Sequence, residues 1–191
     1  MLSTQNLLIL VSGISGSGKT TIGKILADAL GCDFLDQDSF YLNEKPEVII
    51  NDEKNKQLIV KNWDCMQSVD VKAMNNALIN RSKTKGLVFV GFAPLELEVN
   101  FTHHFHLLTG KSDNTIIDRC IQARRVSKGF AGKQAERDEL VVRKLVFPFQ
   151  QLIMKSLEKR KATYIHVYSH SMRRTIQDIR SEMIEHIENS I

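Results

Sequence analysis

The feature that most constrains the fold is a glycine-rich loop between an apolar segment and a helical pattern. Residues 7–21 read LLILVSGISGSGKTT, in which Gly13, Gly18, Lys19 and Thr20 fit the pattern G-x-x-x-x-G-K-[ST]. Glycines at these positions let backbone N–H groups approach phosphate oxygens that a Cβ would block. The loop therefore predicts that the chain binds a nucleoside triphosphate.

The residues of this loop have distinct predicted roles. We expect Lys19 to reach the β and γ phosphates, and Thr20 to offer its hydroxyl to Mg²⁺. The helix that begins at Lys19 directs its positive dipole end at the same phosphates. The predicted nucleotide-binding residues are Gly13, Ser15, Gly16, Ser17, Gly18, Lys19, Thr20 and Thr21.

Composition places the chain among ordinary globular proteins. It has 191 residues, of which 42% are hydrophobic and 25% charged, so we expect one domain over 1–191. Cys32, Cys65 and Cys120 lie far apart, which predicts free thiols in a reducing compartment. The first apolar run is too short for a membrane span and lacks the basic flank of a signal peptide, so a cytoplasmic location is expected.

The net charge of +4 raises the alternative of a nucleic-acid partner. Basic residues concentrate at 119–144 and 155–161, but these segments contain a single aromatic residue, Phe130, and so lack interleaved aromatic residues. A helical lid at about 124–140 that binds phosphate groups explains these residues better than a nucleic-acid site does. A nucleic-acid partner is therefore not favoured.

Strand and helix signals alternate along the chain, a pattern typical of a parallel sheet covered on both faces. It resembles an α/β, P-loop kinase-like three-layer sandwich with about five strands and a helical lid. Residues 41–62 are predicted as a turn-rich insertion, and Pro148 predicts a kink or boundary in a long helical pattern. Strands are predicted at 7–11, 33–36, 87–92, 101–109 and 163–169, and helices at 19–30, 68–82, 112–127, 136–161 and 172–190.

Two aspartates follow the second predicted strand, where ligands bind in such sheets. Alternation places Asp36 and Asp38 on the same side, close to the expected γ phosphate. A carboxylate there can accept a proton from an attacking hydroxyl or order Mg²⁺ through water. We therefore predict Asp38 as a catalytic residue and, with Thr20, as a metal-site residue. A solvated turn is the alternative, less favoured beside a phosphate-binding loop.

Residues 37–41, Gln-Asp-Ser-Phe-Tyr, resemble the second-strand motif of uridine kinases and nicotinamide riboside kinases. Residues 62–65, Asn-Trp-Asp-Cys, are similar to a segment of the nicotinamide riboside kinases. The resemblance implies an enzyme that uses ATP and Mg²⁺ to phosphorylate the 5′-hydroxyl of a ribonucleoside. Nicotinamide riboside is the first choice, and uridine or cytidine is the alternative. A catalytically weak nucleotide-binding regulator is a further alternative.

The same resemblance implies roles for individual residues. Asp38 would be the general base, Asp64 would bind ribose hydroxyls, and Arg124 or Arg125 would stabilise the transferring phosphoryl group. Phe40, Tyr41 and Trp63 complete the predicted substrate-binding set, although Phe40 and Tyr41 equally suit the core and Trp63 equally suits an anchor for the insertion. Three histidines, His103, His104 and His106, lack metal-like spacing and are expected to be structural. The base, the choice of ATP or GTP, and the oligomeric state stay open.

One position departs from the family pattern. A Glu that helps to hold Mg²⁺ usually precedes the glycine after the third strand, but Val90 stands there. Either Asp36 and Asp38 complete the metal shell, or Glu96 or Glu98 reaches in, or the protein is slow or inactive. If position 90 lies beside the metal, Val90→Glu should be tolerated and should sharpen the dependence on Mg²⁺.

We expect Lys19→Ala to lower turnover at least about a hundredfold, because a fixed positive charge on the β and γ oxygens is lost in the transition state. That factor corresponds to about 2.7 kcal/mol. Initial rates of ADP formation measure it. Near-parental turnover with every acceptor would contradict the role of the loop.

Overall fold

The computed structural model describes residues 7–52, 54, 56–83, 85–92, 99–108, 113–128, 135–159, 162–166 and 176–190. Two short 3₁₀ turns, Gln37–Phe40 and Met66–Ser68, and a π-helical turn, Val142–Val146, accompany the regular elements. In chain order these are β1 (Leu8–Gly13), α1 (Lys19–Leu30), β2 (Asp33–Asp36), β3 (Glu47–Asn51), β4 (Gln57–Lys61), α2 (Val71–Ser82), β5 (Leu87–Gly91), β6 (His103–Leu108), α3 (Asp113–Lys128), α4 (Ala135–Val141), α5 (Phe147–Lys159), β7 (Thr163–His166) and α6 (Ile176–Glu188).

Five of the strands form one parallel sheet in the order β2-β5-β1-β6-β7. Strand β1 lies at the centre, where Val11 pairs with Val90 of β5 on one side and with Phe105 of β6 on the other. The predicted α/β sandwich with a five-stranded parallel sheet is confirmed. Because parallel strands end at the same edge, the ends of β1, β2 and β5 meet beside the phosphate-binding loop.

The alternation of side chains along β1 builds the two layers that cover the sheet. Leu8 and Leu10 face α2 and α5, whereas Ile9 and Val11 face α1 and α6. All six residues of the strand are buried, as expected for a central parallel strand. None of the helices in the described ranges is both long and apolar enough to cross a membrane.

The turn-rich insertion predicted at 41–62 contains a β-hairpin, so that prediction is wrong. Strands β3 and β4 pair antiparallel, with Glu47 opposite Lys61 and Ile49 opposite Ile59. Both strands bury one residue and expose the neighbours on either side of it, because the hairpin packs one face only. Ile49 and Ile59, each more than half exposed, lie on the open face and hid the alternation in the sequence.

The interruption predicted at Pro148 occurs one turn earlier, as the π-helical turn between α4 and α5. Pro148 is the second residue of α5 and has no N–H to continue the hydrogen-bond ladder of the preceding turn. Widening that turn to π geometry absorbs the break without ending the helical path. It also buries Val142 and Val146 against α3.

The expectation that position 90 lies beside the metal is wrong. Val90 is fully buried and belongs to the apolar cluster that β1 and β5 form with α1 and α6. A Cβ placed on Gly23 of α1 would collide with the Val90 side chain, so the helix approaches the strand closely here. Residues Glu96 and Glu98, the other suggested acids, lie outside the described residues.

Val90→Glu should therefore destabilise the fold by several kcal/mol, because it places a carboxylate among apolar side chains with no cation described nearby. Urea denaturation at pH 7 measures the loss. Ile49→Glu is the matched control, since Ile49 is 62% exposed on β3 and should change stability little. Equal stability of the two variants would contradict the burial of position 90.

Candidate active site

The loop between β1 and α1 adopts a conformation that depends on glycine. Gly16 and Gly18 have φ angles of 84° and 85°, in the left-handed region that side chains disfavour. A Cβ on Gly16 would lie 2.7 Å from the carbonyl oxygen of Arg119, so the loop backbone packs directly on α3. The Ser17 N–H donates to the Ile14 carbonyl at 3.0 Å and closes the turn. Contacts within the chain thus define the shape of the loop.

A pocket of about 160 Å³ opens over this loop. Its walls come from three parts of the chain that are distant in sequence. The loop supplies one wall, the turn after β2 and the segment before α2 supply the second, and the end of β5 with the start of α5 supplies the third. The lining residues include Gly13, Ser15, Gly16, Lys19, Thr20, Asp38, Tyr41, Asp64, Phe92, Phe149 and Gln150.

Thr20 and Asp36 form the candidate magnesium position. The Thr20 hydroxyl donates to Oδ2 of Asp36 at 3.2 Å, which joins the start of α1 to the end of β2. Hydroxyl and carboxylate oxygens are the ligands that Mg²⁺ prefers, and it commonly takes only one or two of them from the protein beside the phosphates. The described residues contain no cluster of three or more His, Cys, Asp or Glu with metal-site geometry. The two oxygens fit Mg²⁺ held together with ATP.

Asp36 also positions the second aspartate of the turn. Its Oδ1 accepts the backbone N–H of Asp38 at 3.0 Å and caps the 3₁₀ turn Gln37–Phe40. Asp38 is solvent-exposed and lines the pocket with Lys19 and Thr20. A carboxylate at this position is able to accept a proton from a bound hydroxyl.

Asp64 and Arg124 form a buried ion pair at the far side of the pocket. Nη1 of Arg124 donates to Oδ2 of Asp64 at 2.6 Å, and the residues are 5% and 8% exposed respectively. Burial opposes the charge on Arg124, but the Asp64 carboxylate outweighs it and raises the pKa of the guanidinium above its ordinary value. Arg124 is therefore held on Asp64, which is the member of the pair that lines the pocket.

The predicted aromatic residues occupy different places. Tyr41 lines the pocket, and burial followed by the charges of Asp64 and Asp38 raises the pKa of its phenol, so it remains a hydroxyl donor. Trp63 packs edge-on against Tyr41 at 5.3 Å between ring centroids, and Phe40 packs against the core under α2. The side chain of Arg125 lies outside the described residues, as do residues 129–134 of the predicted lid.

A second cavity, of about 390 Å³, adjoins this ion pair. It lies between the β3–β4 hairpin and helices α3 and α4, with Ile59, Trp63 and Val141 among its apolar walls. Arg124 lines this cavity, whereas its partner Asp64 lines the pocket. The ion pair therefore stands between the phosphate pocket and a larger space.

Several pocket residues were not among the predicted site residues. Gln37 is buried, and its Oε1 accepts the backbone N–H of Phe92 at 3.1 Å, which joins the turn after β2 to the end of β5. A Cβ on Gly91 would collide with Gln37, which explains the glycine there. The rings of Phe92 and Phe149 pack edge-on with their centroids 5.2 Å apart, and they close the wall that α5 forms. Only their position in the fold places them at the site.

His106 lies in a buried polar chain beside the loop. Its Nδ1 is 2.7 Å from Oγ of Ser12, and its Nε2 is 3.2 Å from the side-chain nitrogen of Gln150. Burial, and then the positive charge of Lys19, lower the pKa of His106 to about 4. The imidazole is therefore neutral near pH 7, and the prediction that it is structural agrees with these contacts.

The known proteins to which this chain is similar are kinases. A family model described as shikimate kinase matches residues 15–56. A probable gluconokinase of Dictyostelium discoideum is 46% identical over 57 residues, which are 27% of this chain and 28% of that protein. A shikimate kinase of Chlorobaculum tepidum is 27% identical over 164 residues, covering 83% of this chain and 77% of that protein. The chain thus spans less than a third of the length of the gluconokinase it matches.

Solved structures support the same fold. The shikimate kinase of Acinetobacter baumannii in complex with shikimate aligns with a TM-score of 0.52 and 19% identity, over 97% of this chain and 95% of that one. Similarity at this level shows the P-loop kinase fold. The relatives are small-molecule kinases of the shikimate kinase and gluconokinase type, which use ATP with Mg²⁺, the cofactors predicted from the loop. They do not support nicotinamide riboside or uridine kinases specifically.

The buried neutral His106 predicts a pH dependence of stability. In the unfolded chain His106 takes up a proton near pH 6.5, whereas in the folded chain it does so only near pH 4, because its pKa is lowered. The free energy of unfolding should therefore fall as the pH drops from 6.5 towards 4, by up to about 3 kcal/mol, and this group should contribute no slope at higher pH.

Urea denaturation at several pH values between 4.5 and 7.5 measures this slope. His106→Gln should reduce this slope. A part of the slope should remain, because burial also lowers the pKa of His103. An unchanged slope in His106→Gln would contradict the assignment.

Proposed function

We propose that this chain is an ATP-dependent kinase that transfers the γ phosphate to a hydroxyl group of a small polyhydroxylated molecule. The observation that carries the proposal is that the phosphate loop, Thr20 and the exposed carboxylate of Asp38 line one pocket, with Asp36 hydrogen-bonded to Thr20. Phosphoryl transfer needs little covalent help from a protein and depends on positioning and charge stabilisation. These residue types supply both.

The loop side of the pocket has the groups that bind a triphosphate. The backbone N–H groups around Gly16 and Gly18 and the ammonium of Lys19 hold phosphate oxygens, and they favour the charge that grows during transfer. Thr20 and Asp36 would hold Mg²⁺. When bound, Mg²⁺ with ATP supplies the transferable phosphoryl group and neutralises part of its charge.

The opposite side has the groups that bind an acceptor. Asp38 would accept the proton of the attacking hydroxyl, since it lines the pocket together with Lys19 and Thr20. Asp64 and the Tyr41 hydroxyl would bind further hydroxyl groups, one as an acceptor and one as a donor. Arg124 fixes the orientation of Asp64 through their 2.6 Å hydrogen bond. We also propose the predicted Arg125 and the lid at about 124–140 as parts of the closing side of the site.

Two classes of acceptor are candidates for this pocket. Residues 37–41 and 62–65 suggest a ribonucleoside, with nicotinamide riboside first and uridine or cytidine second. The relatives are named for gluconate and shikimate, which are hydroxy acids. The idea of a regulator without turnover loses its support, because Val90 belongs to the core and says nothing about the metal.

The proposed function is tested by measuring ADP formation with ATP and Mg²⁺ in the presence of each candidate acceptor. The panel is shikimate, gluconate, nicotinamide riboside, uridine and cytidine. Acceptor-dependent ADP formation, with the phosphorylated product identified by mass spectrometry, supports the proposal. Binding of ATP without turnover on any of the five would count against it.

Within this assay, Asp38→Asn should lower kcat by about two to four orders of magnitude, because it keeps the shape of the side chain and removes the proton acceptor. Affinity for ATP should persist, since the loop and the Thr20–Asp36 pair are unchanged. Glu44→Gln is the matched control, at an exposed acid outside the pocket lining. A parallel loss of ATP affinity would assign Asp38 chiefly to the metal site.

A further inference from the structure

One buried polar atom in the wall of the phosphate pocket has no partner. Gln37 is 1% exposed and lines the pocket, and its Nε2 makes no hydrogen bond within the described part of the chain. Three other buried side-chain atoms share this condition among the described residues, but their residues do not line the pocket; they belong to Ser17, Tyr164 and Arg180. A buried donor without a partner is unfavourable and rare in native proteins. Its place in the pocket wall suggests a partner that arrives with a ligand.

The orientation of this amide follows from its oxygen. Oε1 of Gln37 accepts the backbone N–H of Phe92 at 3.1 Å. The reversed amide would set its NH₂ group against that N–H, so two donors would face each other. Gly91 leaves the space that the arrangement needs, because a Cβ there would collide with Oε1. The nitrogen is therefore held in place by contacts that do not involve it.

The amide lies where the phosphate loop meets the two aspartates. Gln37 stands between Asp36 and Asp38 in the 3₁₀ turn after β2. The neighbouring Gly91 pairs in register with Ser12, at the end of β1 next to the phosphate loop. Asp36 marks the candidate magnesium position, and Asp38 is the proposed base. In the proposed reaction the γ phosphate has to lie between the metal and the base, so Gln37 borders the space that this group would occupy.

A phosphate oxygen is the acceptor that this donor suits best. The carboxylates of Asp36 and Asp38 repel phosphate oxygens, whereas the neutral amide between them offers a hydrogen bond. A hydrogen bond to a charged oxygen is also stronger than one to a neutral hydroxyl. The attacking hydroxyl of an acceptor is already bound by Asp38 in the proposed function. Solvent does not reach the nitrogen, so a small movement of the side chain would bring it to the ligand.

We propose that Nε2 of Gln37 donates a hydrogen bond to an oxygen of the γ phosphate, so that Gln37 makes the pocket prefer ATP over ADP. This inference rests on the proposed kinase function and adds a binding residue to its nucleotide side. The loop holds the phosphates that ATP and ADP share, whereas Gln37 binds only the group that is transferred. The preference is then the difference that this one contact makes between the two nucleotides. The contact is lost when the phosphoryl group leaves, which favours the release of ADP.

Gln37→Met tests the proposal, because it keeps the length of the side chain and removes the amide. The Kd values of ATP and of ADP are measured by isothermal titration calorimetry in EDTA, so that no phosphoryl group is transferred. We expect the Kd of ATP to rise about tenfold or more and the Kd of ADP to change less than about threefold. An unchanged ratio of the two Kd values, or a wild type that binds ATP and ADP equally, would overturn the proposal.

Gln37→Glu separates nucleotide binding from a structural role. At about pH 8 its carboxylate is ionised, so it still accepts the Phe92 N–H but has no hydrogen to donate. EDTA prevents a metal ion from binding to the new carboxylate. We expect this variant to lose the preference for ATP at least as fully as Gln37→Met does. A parental ratio of Kd values would mean that Gln37 only holds Phe92 in place, against the proposal.

Asn75→Leu is the matched control, because it also replaces a buried amide by an apolar side chain. Asn75 is 7% exposed on α2 and lies outside the pocket lining. This variant should lower the Tm and keep the parental ratio of Kd values. Equal changes of that ratio in Asn75→Leu and Gln37→Met would trace the effect to lost stability and overturn the proposal.

The ratio of Kd values also separates this inference from the proposed function, since it is measured without an acceptor. A preference for ATP that depends on Gln37 would support the γ-phosphate contact even if no acceptor were phosphorylated. The opposite result is turnover of an acceptor, with a raised acceptor KM but an unchanged Kd ratio in Gln37→Met. That result would place the amide on the acceptor side, overturn the inference and leave the kinase function intact.

Discussion

Burial of β1 on both faces is the constraint on which the rest of the structure depends. Strand β1 is covered by two layers of helices and lies at the centre of its sheet, so its end places the phosphate loop at the edge where β2 and β5 also end. Two hydrogen bonds link neighbouring segments at that edge, Thr20–Asp36 and Gln37–Phe92. The apolar pattern of one strand therefore decides which polar residues meet.

The site divides its charges between two tasks. In the proposed function, Lys19 serves the nucleotide side, where several phosphate oxygens need compensation. Burial, and then the charge of Lys19, keep the neighbouring His106 neutral. Arg124 and Asp64 neutralise each other and separate the pocket from the second cavity. A buried ion pair of this kind is costly to break and contributes little net charge. On the acceptor side, Asp38 contributes a carboxylate to the pocket lining.

The sequence alone predicted the loop, the five-stranded sheet and the meeting of Asp36 and Asp38 with the loop, because these follow from local patterns and strand polarity. The hairpin was missed, since exposed Ile49 and Ile59 disguised its alternation. Position 90 was misplaced because one residue along a strand changes the face that a side chain occupies. The place of Gln150 in the pocket lining became visible only in three dimensions. The lid, the cytoplasmic location and the exclusion of nucleic acid stay predictions.

The phosphate loop lies against the backbone of α3, because a Cβ on Gly16 would come within 2.7 Å of the Arg119 carbonyl oxygen. Arg124 follows little more than one turn later on the same helix, and its side chain binds Asp64, so α3 links the loop to Asp64. In the proposed function, this spacing would fix the distance between the phosphate donor and the acceptor. A longer or shorter acceptor has to be accommodated on the hairpin side, and it is there that substrate preference is free to diverge while the phosphate end stays the same.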